Sequence, residues 1–105
     1  MIFACETDDG SLFTFRNTDR ACAYAEGIDV TEGIWQFVAD DGSPLTPVFS
    51  RPSKRGFFGI RSGEYSLQPS ESEGAADLLA ILPRVTSFEG ELKSLEEVRE
   101  HLTNR

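Results

Sequence analysis

The sequence predicts an α+β domain, with a mostly antiparallel sheet of four to five strands and about three helices packed on one of its faces. Three observations lead there. Short segments rich in Phe and Ile are separated by gaps of about five residues, which suit hairpins, whereas parallel crossovers need a dozen or more. Two of those gaps carry the same Asp-Asp-Gly sequence, at residues 8–10 and 40–42. Three other segments place apolar residues at helical spacing behind side chains suited to capping.

Residues 2–6 and 11–15 flank Asp8-Asp9-Gly10, where Gly accepts positive φ and Asp tolerates it, so a first β-hairpin is expected. Asn17-Thr18-Asp19 then offers capping side chains ahead of Ala21, Ala25 and Ile28, with Tyr24 on the flank. This spacing predicts a short amphipathic helix ending near Gly27. Residues 33–39 and 45–50 bracket Asp40-Asp41-Gly42-Ser43-Pro44 as a second hairpin. In its first strand Trp35, Phe37 and Ala39 share the face expected to be core, and Pro47 assigns the second strand to an edge or a bulge because it lacks a ladder donor. Residues 64–68 return as a fifth strand. Ser70 and Ser72 precede Ala75, Leu78, Leu79 and Leu82, the stripe of a second helix that Pro83 stops. Ser94-Leu95-Glu96-Glu97 has the form of a capping box, and Leu95, Val98 and Leu102 give the third helix its apolar face.

At 105 residues, one globular domain spanning 1–105 is expected, since two halves would each be too small to bury a stable core. Eighteen acids against ten Lys and Arg give a net charge of -8. Four of the cations, Arg51, Lys54, Arg55 and Arg61, lie in one acid-free stretch, so the rest of the chain holds six cations against all eighteen acids. Such a surface repels nucleic acid and anionic lipid and suits a basic partner. Neither a nucleic acid nor a membrane is expected as partner. No apolar run approaches the roughly 20 residues that cross a bilayer, and the amino end lacks a basic flank with a long apolar region. A cytoplasmic location is expected, with Cys5 and Cys22 reduced and buried.

The residues offer little for catalysis. His101 is the lone histidine and falls in the last turn of the third helix, where a cation complements the dipole and no nucleophile motif points to it. One His and two separated Cys fall short of the four ligands of a structural zinc site. Gly56, Gly59 and Gly63 match no phosphate-binding fingerprint. The paired acids at 8–9, 40–41, 71 with 73 and 96–97 fall at hairpin tips or first helical turns, where nothing perturbs them. No catalytic residue, metal or cofactor is therefore expected.

The stretches 24–30 (Tyr-Ala-Glu-Gly-Ile-Asp-Val), 33–45 (Gly-Ile-Trp-Gln-Phe-Val-Ala-Asp-Asp-Gly-Ser-Pro-Leu) and 94–102 (Ser-Leu-Glu-Glu-Val-Arg-Glu-His-Leu) resemble small bacterial immunity proteins encoded beside polymorphic toxins. The resemblance implies a protein that does no chemistry, binds one cognate toxin domain tightly and blocks its active site. A monomer or weak dimer is expected. Clustered carboxylates would mimic phosphate in a basic cleft. The expected partner-binding residues are Asp8, Asp9, Asp40 and Asp41, with Glu26, Asp29 and Glu32 as a second cluster. Where the toxin lacks a basic cleft, Arg55, Phe57, Phe58 and Arg61 form the insertion element instead. Two alternatives stay open: a small enzyme or nucleotide-binding domain using the basic Gly/Phe loop 51–63, and an adaptor without inhibitory action.

Overall fold

The structure, a computed structural model, describes residues 1–51, 54–56, 59–61, 63–70 and 77–103, with the backbone alone for Ile28, 54–56 and 59–61. Among these the chain forms, in order, strands β1 (Ile2–Glu6) and β2 (Ser11–Phe15), helices α1 (Thr18–Tyr24) and α2 (Gly27–Thr31), and strands β3 (Trp35–Val38) and β4 (Pro44–Arg51). There follow β5 (Lys54–Gly56), β6 (Gly59–Arg61), β7 (Glu64–Pro69), α3 (Leu78–Ile81) with a 3-10 turn over Leu82–Arg84, β8 (Ser87–Gly90) and α4 (Leu95–Thr103). The α+β class holds. The sheet is larger than expected: six strands in the order β7-β4-β3-β1-β2-β8, with β5 and β6 pairing apart as a two-stranded ribbon.

Both expected hairpins form, β1 with β2 and β3 with β4. Their turns share one construction. Asp9 Oδ1 accepts from the Ser11 amide at 2.9 Å and Asp41 Oδ1 from the Ser43 amide at 2.9 Å, each across a Gly with φ near +75 or +86. Because β2 and β3 both run antiparallel to β1, which lies between them, they are parallel to each other. The α1–α2 segment is thus a crossover connection. Its consequence is that the two Asp-Asp-Gly tips sit at opposite ends of the sheet.

The expected single helical face is corrected to two. Phe3, Cys5, Leu12 and Val38 pack with Leu78, Ile81 and Val98, while Ala4, Trp35 and Phe37 pack with Ala25 and Val30. The sheet is the middle layer of three, so successive residues of β1 are buried on both sides, Phe3 and Ala4 each at 0% exposure. The Trp35 and Phe37 face is core as expected, yet Val38 on the opposite face is equally buried. At roughly 1.5–3 kcal/mol for each fully buried large apolar side chain, both layers contribute to stability.

Other boundaries move for local reasons. The first helix stops at Tyr24, where Ala25 turns extended, and a second short helix begins at Gly27. Gly27 is no terminator: a Cβ there would lie 2.3 Å from the Gly63 carbonyl oxygen, so glycine permits a close backbone approach. Pro47 lies beyond Leu45, where the pairing of β4 with β3 ends, and its strand has one free edge at that point. The predicted second helix falls partly outside the described residues, which exclude Ser72 and Ala75; what is described runs Leu78–Ile81 behind Asp77, whose Oδ1 accepts from the Ala80 amide. Leu79, which belongs to the apolar stripe by its spacing, is 72% exposed. The parallel strand β8 has no counterpart in the sequence-based expectation. Ser94 caps α4 as expected, with the Glu97 amide donating to Ser94 Oγ at 3.1 Å, while the Glu97 carboxylate accepts from the Lys93 amide, one residue before the Ser94 amide that a full capping box uses.

Candidate functional site

At the β1–β2 end, carboxylates crowd together on an exposed rim. Glu6 closes β1, Asp8 and Asp9 form the turn, and one carboxylate oxygen from each of the three lies within 4.8 Å of the others. The turn is braced from both sides. Thr7 donates its amide and its hydroxyl to the Ile34 carbonyl at 2.7 and 2.8 Å, and Thr86 donates its amide to Gly10 at 2.8 Å. Ile34 in turn donates to the Asp29 carbonyl at 3.2 Å, which fixes α2 against the same end.

The charges register on Glu6. Its carboxyl is held above the ordinary glutamate range, first by partial burial, then by the negative charges of Asp9, Asp8 and Asp29, with an Asp8 hydrogen bond also contributing. Among the described residues no ion pair reaches Glu6, Asp8, Asp9 or Asp29. Of the second expected cluster, Asp29 adds its charge to this end of the sheet through its effect on Glu6. Glu26 and Glu32 flank α2 and are exposed. As an oxygen-rich group the rim also suits a hard cation in ligand type.

Asp40 and Asp41 do not join this rim: the sequence leaves open whether the two Asp-Asp-Gly turns share an end, and the crossover puts them at opposite ends. Asp40 is half-buried, with its Oδ1 2.5 Å from His101 Nε2 and 3.7 Å from the Met1 amino group. His101 is therefore neither a plain cap nor a solvated side chain; it ties the last turn of α4 to the β3–β4 turn and stacks edge-on against Phe3 at 6.0 Å. Asp41 accepts from both the amide and the hydroxyl of Ser43.

The basic stretch is a ribbon, with Lys54 opposite Arg61 and Arg55 opposite Ile60. The side chains of Arg55 and Arg61 and the whole of Phe57 and Phe58 lie outside the described residues. Both cysteines are free; Cys5 is buried and Cys22 half-buried, the latter a partial correction. Burial pushes both thiols up, which keeps them protonated near neutrality.

Reading the sequence missed Glu6, Asp77 and the His101–Asp40 contact. Hairpin register reveals the first, because the residue before a tight turn lies at its mouth. Asp77 carried a signal too, as an N-cap type directly before Leu78. His101 and Asp40 are 61 residues apart and share no local pattern. No helix among the described residues is long and apolar enough to cross a membrane. No family model, curated protein or solved structure matches the chain.

Proposed function

We propose that this protein is an immunity-type binding protein, which docks its β1–β2 rim into the basic substrate cleft of a cognate toxin domain and inhibits by occlusion. One observation carries the reading: Glu6, Asp8 and Asp9 are gathered at a braced turn, the charge of Asp29 on α2 adds to their field, and no described ion pair neutralises them. Like charges held this close destabilise the chain that carries them, and a cationic partner relieves the repulsion. The brace from Thr7 and Thr86 lowers the ordering cost of association, because the carboxylates are positioned before the partner arrives.

A cleft that accepts phosphates presents Arg and Lys at spacings that clustered carboxylates satisfy. Substrate exclusion then needs no chemistry from this chain. Co-expression with the toxin encoded beside it tests the proposal. Growth arrest is relieved by the native chain and returns when Glu6→Gln, Asp8→Asn and Asp9→Asn are combined. Arrest that the native chain leaves untouched, or full relief by the triple variant, overturns the reading.

A further inference from the structure

The opposite end of the sheet holds a recess of about 180 Å³, lined by Asp41, Gly42, Asp77, Leu78, Leu79 and Leu102. Its base is fixed where the Leu78 amide donates to the Gly42 carbonyl at 2.9 Å, joining α3 to the β3–β4 turn. Gly42 leaves room for it. A Cβ at that position would lie 3.5 Å from Leu78 Cβ and 3.9 Å from Leu102 Cδ2. The wall from α4 is steadied by the contact of His101 with Asp40.

We propose that this recess binds the side chain of one arginine presented by a protein partner. Size admits it, since a cavity of about 150 Å³ takes benzene and an arginine side chain is of similar bulk. Charge selects a cation, because Asp41 and Asp77 both line the recess. Apolar lining selects a long aliphatic stem: Leu79 is 72% exposed and Leu102 half-buried, a surface that the methylenes of a basic residue cover while the head meets the carboxylates. Guanidinium is favoured over ammonium because it is planar, more weakly hydrated and carries five donors. The inference rests on the binding-protein reading only for who presents the arginine; the recess itself is tested without the toxin.

The test is an amide chemical-shift titration of the full chain with N-acetyl-arginine N-methylamide, alongside its uncharged citrulline counterpart. Saturable shifts at Gly42, Leu78, Leu79 and Leu102 are expected with arginine and none with citrulline. Asp77→Asn and Asp41→Asn remove charge while Asn still serves as helix cap and turn acceptor, so the fold persists and binding weakens about tenfold in each. Leu79→Ser, at an exposed position, weakens it as well. Glu6→Gln combined with Asp8→Asn leaves arginine binding unchanged, which separates this site from the rim. Equal response to citrulline, shifts that never saturate, no shifts, or Asn variants that bind like the native chain overturn the proposal. Arginine binding that survives while toxin inhibition fails counts against the immunity reading and not against the recess.

Discussion

Replacing Asp9 with Asn removes one negative charge from a cluster in which one carboxylate oxygen from each member lies within 4.8 Å of the others, and still leaves an oxygen for the Ser11 amide. Two unit charges at that distance repel by about 0.9 kcal/mol in bulk water, and a screening length of about 8 Å at physiological salt reduces this to about 0.5. Asp9 faces two such neighbours, Glu6 and Asp8. Asp9→Asn is therefore expected to stabilise the fold by about 1 kcal/mol, roughly a fivefold change in the folding constant. In 1 M salt the gain falls to about 0.4 kcal/mol, since screening then acts over about 3 Å. Urea unfolding at pH 7 in low and high salt measures both values. Inhibition of the toxin should weaken in the same variant, because the charge that destabilises the free chain is the charge that engages the partner. An Asp9→Asn protein that is less stable, or unchanged at low salt, refutes the picture of a repulsive rim.

Three further outcomes follow from particular residues. Glu6 holds its proton more tightly in the folded chain than the ordinary value of 4.5 allows, so its stabilising contribution is full below that value and is lost as pH rises through the raised native value. Glu6→Gln should abolish that part of the pH slope in urea unfolding. Gly27→Ala forces a Cβ to 2.3 Å from the Gly63 backbone and should cost about 1–3 kcal/mol or more, read as a lowered thermal midpoint. Cys5 and Cys22 should react slowly with iodoacetamide at pH 7, Cys5 the slower, and both rapidly once urea unfolds the chain.

Both hairpins and the terminal helix were legible because their signals are local: the Asp-Asp-Gly turns and the Ser94 to Glu97 box each specify themselves within a few residues. Layering was not legible. An alternating strand such as Ile2–Glu6 has Phe3 and Cys5 on one face and Ile2 and Ala4 on the other, and the small Ala4 does not announce a second buried face. β8 escaped because Ser87–Gly90 carries one large apolar residue, Phe88, and owes its place to pairing with β2 some 75 residues away. Within the site, Asp8 and Asp9 were readable as exposed acids from the turn alone. That Asp29 shares their end and that Asp40 and Asp41 do not depends on the β2-to-β3 crossover, a tertiary fact.

The sharpest test is the dissociation constant of the purified complex with the toxin, measured for the native chain and for the Glu6→Gln, Asp8→Asn, Asp9→Asn variant between 50 and about 200 mM salt. Native affinity should fall steeply with salt, and the variant should bind more weakly and with a flatter dependence. Equal affinities with parallel salt dependences would contradict the assignment of this rim as the docking surface.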